Sequence, residues 1–220
     1  MSRAPQPDNL PFPPPPAVPA GFASIDCPWH FNTRGALLDP DADRSPQKHY
    51  PTASIDHLKT IPMREILAPN AHLAFWTTGP LLITGVHLDL FDAWGIEISS
   101  LMFVWLKTWN KFAMRTLTGS ALLDQDMAMG GGYTTRQNAE FVILGRRGKP
   151  KRLDASIRQV IVSNRREHSR KPEEFFARCE HYADGPYLDM FGGAPRPNWQ
   201  HWGYGHREGE AAPLMEGVPA

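Results

Sequence analysis

Cysteine is scarce in this chain: Cys27 and Cys179 stand alone among 220 residues, with no CxxC pair. That excludes a disulfide framework and a cysteine-based zinc site, and it suits a reducing compartment. Net charge is missing too, because 23 Lys and Arg balance 23 Asp and Glu. No global basic excess marks a nucleic-acid partner, so any such signal has to be local. Long hydrophobic runs are absent. The longest, such as LMFVWL, fall far short of the about 20 residues a membrane-spanning helix needs. The N-terminus has no charged region followed by an apolar one, so no secretory signal is expected. No GxGxxG follows the first apolar run, which argues against a dinucleotide-dependent oxidoreductase. The two histidines of HWGYGH have no third ligand near them, and no metal is expected.

Proline, by contrast, is abundant. Eight of the first twenty residues are proline, and proline removes backbone donors while holding the chain near polyproline II. Residues 1–20 are therefore expected to form a disordered Pro-rich arm outside the fold. Residues 207–220 lack periodicity and are expected to be a flexible tail. That leaves residues 21–206 as one domain, long enough for a single well-filled core.

Between the tails, short apolar runs alternate with helical patterns. FASID, AHLAFWTT, EISSLMFVWLKT, AEFVILGRRG, IRQVIVS and GPYLDMFGG read as strands. SIDHLKTIP and MREIL read as short helices, the first with Ser54 or Asp56 near its start. PLLITGVHLDLFDAWG reads as one helix, with Pro80 in its first turn, Gly95 at its stop, and Leu82, Val86, Phe91 and Trp94 on its buried side. KPEEFFARCEHYA reads as another. A long loop runs from Trp109 to about Gln137 and contains the triple glycine 130–132. Strands separated by helices imply crossover connections, so the expected fold is α/β, Rossmann-like, with a mostly parallel sheet covered by helices on both faces.

Ligands of such sheets bind outside the carboxyl ends of the strands. Two of those ends carry chemistry here, DCPW after the first strand and DMFGG after the last. In DCPW, Pro28 restricts Cys27 to extended conformations, which fixes the direction of its carbonyl. The carboxylate of Asp26, that carbonyl and the ring of Trp29 suit a planar heterocycle with an exocyclic amine. The same four residues also read as a plain strand exit, with Asp26 capping a turn and Trp29 packed on the core.

The segments DCPW, HLAFWTT, FDAWG, VWLKT, AEFVILGRRGKP, REHSRKPEEFF, LDMFGG and RPNWQHWG carry a resemblance. In this order and spacing, from about Phe22 to His206, the chain resembles the adenine-N6 methyltransferases related to the enzyme that methylates adenosine in eukaryotic messenger RNA, its bacterial and phage members in particular. The resemblance implies an S-adenosylmethionine-dependent methyltransferase fold and, without a metal, transfer of a methyl group to N6 of adenine in nucleic acid, DNA ahead of RNA. It also implies a bacterial or phage-infected cell, within which the composition above makes a cytoplasmic setting the expectation.

By resemblance, Asp26 accepts from the adenine amine and lies near the cofactor's methionine part, and Trp29 stacks on the target base. Cys27 stands where the family carries proline; a backbone carbonyl is what that position supplies, and Pro28 is retained. Tyr50 lies on a loop closing over the base, and Glu140 is an acid supporting the substrate. Lys171 is on a second loop that contacts the cofactor. Asp189 binds the cofactor's ribose, in the segment that also holds Met190 and Phe191. Gly193 stands where the family often has arginine, for which Arg196 is the substitute. Tyr204 replaces a cofactor-contacting asparagine.

A local basic signal accompanies this. Between Gly145 and Lys171, ten Lys or Arg face only Asp154 and Glu167. Arg146, Arg147 and Lys149 head this segment, which is either a solvated face or the phosphate-binding surface. The triple glycine is read as loop mobility, and the long loop as the place for a homodimer contact or target-strand recognition. The rival expectation is a catalytically silent methyltransferase-like subunit that binds nucleic acid or a partner protein, favoured by Cys27, Gly193 and Tyr204.

Overall fold

The computed structural model describes residues 11–29, 52–109, 124–130, 135–165, 170–192 and 195–203. Among them are seven strands: β1 (Ala20–Ile25), β2 (Leu67–Thr78), β3 (Glu97–Thr108), β4 (Ala139–Arg147), β5 (Val160–Asn164), β6 (Tyr187–Met190) and β7 (Trp199–Trp202). The helices are α1 (Ile55–Lys59), α2 (Met63–Ile66), α3 (Gly79–Thr84), α4 (Val86–Trp94) and α5 (Glu173–Tyr182).

The strands form one sheet in the order β5-β3-β4-β2-β1-β6-β7. β4 runs antiparallel to both its neighbours, β2 and β3, and every other pairing is parallel. The expected mostly parallel α/β sheet is thus observed, with a single reversed strand inside it.

Strand alternation sorts the apolar residues into two cores. Ile25, Leu73, Phe75, Ile143 and Met190 point to one face and pack with α1, α2 and α4. Phe22, Ala74, Trp76, Phe103, Trp105 and Val142 point to the other, where Phe175, Phe176 and Cys179 of α5 cover them. Helices therefore lie on both faces. α5 starts with Glu173 and Glu174 in its first turn, acids that suit the partial positive charge of a helix N-terminus. Ser54 caps α1 by accepting from the His57 N–H at 3.2 Å.

Two expectations need correction. The segment from Pro80 to Trp94 is not one helix: Gly85 has φ of 74°, a left-handed conformation that breaks it into α3 and α4. Phe91 and Trp94 are buried as expected, while Leu82 and Val86 are only partly buried against the same core. The second concerns the Pro-rich arm, which is not wholly outside the fold. Phe12 stacks on His57 and on Trp202, with ring centroids 4.4 and 5.6 Å apart, and meets Phe191 edge-on. Trp202 Nε1 donates to the Pro14 carbonyl at 2.9 Å. A polyproline segment has no backbone bonds of its own, so its carbonyls are free to accept from side chains. Strand β7 was not read from sequence; its four residues WQHW sit inside a motif with Pro and Gly at both ends.

Candidate functional site

Period-two alternation decides which side chains meet at the carboxyl ends of the strands. Phe22 of β1 faces α5, so Ser24 and Asp26 follow it on that side. Trp105 of β3 shares the face, which brings Lys107 there. In β4, Val142 and Leu144 belong to it, and so does Glu140. Leu188 and Met190 of β6 go to the opposite core, leaving Asp189 on the α5 side, in register with Ser24. Because β4 is reversed, its start rather than its end lies at this mouth, with Glu140 level with Thr78, the last residue of β2. Lys171 arrives from the segment immediately before α5.

These side chains form a chain of ion pairs. Lys171 Nζ lies 2.8 Å from Asp26 Oδ2 and 2.9 Å from Glu140 Oε2. Glu140 Oε1 is held in turn by Lys107 Nζ. Each lysine also lies over an indole, Lys171 over Trp76 at 4.6 Å and Lys107 over Trp105 at 4.8 Å. Such cation–aromatic contacts strengthen where water is displaced. The Lys171 side chain is only 10% exposed, so its charge has lost most of its water and depends on its two carboxylates.

The two acids are pushed apart in acidity. Burial alone would raise Glu140, but Lys171 and Lys107 outweigh it and hold its pKa at about 2. Asp26 is shifted upward, because burial outweighs the attraction of Lys171 and the Glu140 charge adds to it. Lys171 is held above its ordinary range by Asp26 and Glu140 despite burial. Paired carboxylates with opposite shifts take different roles: Glu140 is a fixed anion, and Asp26 is the responsive one.

Asp189 stands beside this chain. It is buried, and burial raises its pKa to about 7, with only partial relief from Arg196. The loop after it is shaped around its carboxylate, because a side chain at Gly192 would run into Asp189. Phe191, with φ of 62°, turns the chain, and its N–H donates to the Trp202 carbonyl at 2.8 Å. The buried hydroxyl of Ser24, in register with Asp189, offsets part of the rise in that acid's pKa.

The other expected residues lie as follows. Asp26 N–H donates to the Met190 carbonyl at 3.3 Å, tying the two strand ends together. The Met190 side chain itself is core, so what it brings to this mouth is its backbone. Cys27 is buried, and burial pushes its thiol well above the usual range. Its carbonyl accepts from the Trp29 N–H at 2.8 Å. The Pro28 carbonyl accepts from Ala53, also at 2.8 Å. Trp29 does not present an open stacking face: it is 6% exposed and meets Phe75 edge-on at 5.9 Å. Arg196 pairs with Glu173 and lies over Phe176, and its charge lowers the pKa of Asp189. Tyr50, Gly193 and Tyr204 lie outside the described residues.

Arg146, Arg147 and Lys149 are the clear misplacement. Arg146 and Arg147 form the far end of β4 and Lys149 follows it, six or more residues beyond Glu140, which at about 3.4 Å per residue is some 20 Å away. Arg146 pairs there with Glu97. Arg147 donates to the carbonyls of Arg64 and Leu67 at 2.7 and 2.5 Å. Lys149 N–H donates to Asn70. The basic segment is one run in sequence but two places in space. Its later members return to the site end, where the Arg165 N–H donates to the Thr108 carbonyl and Arg170 precedes Lys171.

Lys107 was not singled out from sequence. Its signal was a lysine ending an apolar strand on the same parity as Trp105. Trp76, which floors Lys171, is indistinguishable in sequence from core.

Among the described residues no group of three or more His, Cys, Asp or Glu could hold a metal ion. No described helix is long and apolar enough to cross a membrane.

The MT-A70 family model matches residues 24–205, a span holding each of the site residues above. The Type II methyltransferase M.MunI from Mycoplasma sp is 29% identical over 164 residues, 70% of this chain and 58% of that protein. The N6-methyladenosine RNA methyltransferase MTA1 of Cryphonectria parasitica is 32% identical, over 62% of this chain and 40% of that protein. The human N(6)-adenosine-methyltransferase catalytic subunit METTL3 is 25% identical, over 74% of this chain and 26% of that protein. The chain thus spans from a quarter to somewhat over half the length of these relatives. With the family model covering most of the sequence and the paired acids gathered at the strand ends, the chain belongs to the MT-A70 family of adenine-N6 methyltransferases.

Proposed function

We propose that this chain transfers a methyl group from S-adenosylmethionine to N6 of adenine in nucleic acid, with DNA the preferred substrate. The observation that carries the reading is the ion-pair chain Asp26–Lys171–Glu140–Lys107 beside Asp189 at the mouth of the sheet. DNA is placed ahead of RNA because the greatest coverage among the three relatives, 58%, is of the bacterial Type II methyltransferase. The relatives with RNA or adenosine in their names are covered over 26% to 40%.

The donor set fits the cofactor. Asp189 is buried beside the Gly192 backbone, and an acid at a strand end suits ribose hydroxyls. Asp26 and Glu140 are matched by Lys107 and Lys171, and Asp189, once ionised as pH rises through about 7, adds a carboxylate that favours a cationic ligand. When bound, S-adenosylmethionine supplies a methyl on a positively charged sulfur. Asp26 accepts from the amine of the adenine and directs its lone pair, stabilising the positive charge that grows on nitrogen. Its raised proton affinity equips it to take a proton afterwards, and Lys171 moderates that charge. Glu140 stays ionised throughout and holds Lys171 in place. Alignment and exclusion of water supply up to about 7–11 kcal/mol in favourable sites.

Purified protein incubated with labelled cofactor and separate pools of duplex DNA, single-stranded DNA and RNA tests the reading, with digestion to nucleosides. N6-methyladenine is expected, most from a DNA pool. Its absence from every pool, with cofactor binding intact, favours a second reading, a silent subunit that binds nucleic acid. Two observations support that reading: Trp29 is turned into the core, and the Cys27 carbonyl is already engaged.

On the substrate side, Arg165 and Arg170 take the phosphate-contacting role first expected of Arg146, Arg147 and Lys149, because they share the end of the sheet with Asp26. The cytoplasm of a bacterial or phage-infected cell is the proposed setting, and a homodimer the proposed assembly.

A further inference from the structure

Lys107 is a lysine where a lysine has an easy alternative. At the end of an otherwise apolar strand, its stem could run along Trp105 and release the ammonium to water, as long cationic side chains commonly do. It does not: its side chain is 23% exposed and its ammonium turns inward to Glu140, itself 17% exposed. The backbone is fixed on both sides of that choice. Lys107 N–H donates to the Asn138 carbonyl at 2.8 Å, and its own carbonyl accepts from Ala128 at 2.7 Å. The segment 127–128 and the approach to β4 thus clamp the lysine at the level of the acid.

Counting charges shows what the contact does. Glu140 offers one oxygen to Lys107 and the other to Lys171. Lys171 therefore retains a donor for Asp26, 2.8 Å away. Without Lys107, two carboxylates compete for one buried ammonium, and a pair of like charges sharing a site cannot both stay ionised comfortably. Lys171 then follows whichever acid holds it more tightly, and the Asp26 carboxylate loses its fixed direction.

We propose that Lys107 is a positioning residue of the transfer site: it satisfies one side of Glu140 so that Lys171 can bridge Glu140 and Asp26, and thereby orients the Asp26 carboxylate. The kinetic consequence rests on the methyl-transfer reading above; the electrostatic one does not.

The test uses the full chain, labelled with carbonyl carbon-13 in its Asp and Glu side chains, and follows each carboxyl resonance with pH. The groups facing Glu140 are Lys107 from β3, Lys171 from the segment before α5 and Asp26 from the end of β1. In the wild type the Glu140 resonance should not titrate before the protein unfolds in acid. In folded Lys107→Met its midpoint should rise by about one to two units, the Asp26 midpoint should move with it, and Lys107→Arg should restore both. A Glu140 titration unchanged in folded Lys107→Met overturns the proposal. Should Lys107→Met not fold, Lys107→Gln, which keeps a donor but no charge, serves the same comparison. In the kinetic arm, Lys107→Met should lower kcat about tenfold with little change in the KM for nucleic acid, shift the acid limb of the pH profile upward, and lose most of its effect in a Glu140→Gln background. An effect that persists undiminished in that background is merely structural and overturns the proposal. If the wild type transfers no methyl, the functional reading fails, and the titration still decides the role of Lys107.

Discussion

The two ends of the central sheet both carry dense charge and use it in opposite ways. At the carboxyl end, Asp26, Glu140, Lys107 and Lys171 are largely withdrawn from water and satisfied by one another. At the amino end, Arg146 is paired with an exposed glutamate, and Arg147 is spent on backbone carbonyls. The first end was sparse in the sequence, its members scattered from residue 26 to residue 189. The second was conspicuous, a cluster within four residues. Charge density along a chain therefore does not locate a site; charge that the fold withdraws from water and gathers from several strands does. Surface pairs contribute little, whereas a buried pair that loses one partner leaves an uncompensated ion.

The sharpest test of this contrast is Asp26→Ala, which should lower methyl transfer by about 10²–10³-fold while leaving the melting transition cooperative. Undiminished transfer would place the chemistry elsewhere. Asp189→Asn comes next, and its effects on binding and stability should have opposite signs. The folded-state pKa of Asp189, about 7, lies above its ordinary value of 3.8. Between these two pH values the unfolded chain releases a proton that the folded chain retains, so wild-type stability falls as pH rises through that window. The fall approaches about 4 kcal/mol by pH 7 for an isolated group. The asparagine variant lacks this fall. It should match the wild type near pH 4, melt at a higher temperature at pH 8, and bind the cofactor at least about tenfold more weakly in a calorimetric titration. Lower stability at pH 8 would mean that Asp189 is well paired in the fold.

Phe12→Ala measures the arm. The half-buried ring contacts His57, Trp202 and Phe191, so a loss of about 1–3 kcal/mol is expected from denaturant unfolding. No change would return the arm to the loose segment expected from composition.

How much of this was legible beforehand follows from the kind of signal each feature leaves. Strands betray themselves by apolar runs, and six of the seven were read that way. β7 was not, because four residues between Pro and Gly leave no period to detect. Composition misjudged the arm: proline removes donors and suggests solvation, but a single aromatic and an idle carbonyl suffice to dock the chain on Trp202. The helix through Gly85 was misread because the apolar pattern continues across a residue whose backbone turns left-handed. In the site, Asp26, Glu140, Lys171 and Asp189 were named through resemblance to a family, and the fold brings them to one mouth. Lys107 was quoted inside a motif without a role, since its partner Glu140 is 33 residues away and only the reversed direction of β4 makes them neighbours. That same reversal misplaced Arg146, Arg147 and Lys149. In a parallel strand, residues following Glu140 would have led toward the mouth; in an antiparallel one they lead away.

The smallest expected effects make the finest comparison of the two ends. Arg165→Gln and Arg146→Gln remove the same charge from the same basic run, and a count of charges treats them alike. If phosphates contact the mouth of the sheet, Arg165→Gln should reduce the slope of log affinity against log salt for duplex DNA by about 0.9, one released counterion. Arg146→Gln should leave that slope unchanged and affect transfer less than about twofold, since its guanidinium is engaged with Glu97 some 20 Å away along β4. Equal changes in both slopes would mean that nucleic acid wraps the sheet from one end to the other. A change for Arg146 alone would move the phosphate path to the amino end, and the mouth would then have to receive its base from a strand bound at the far side.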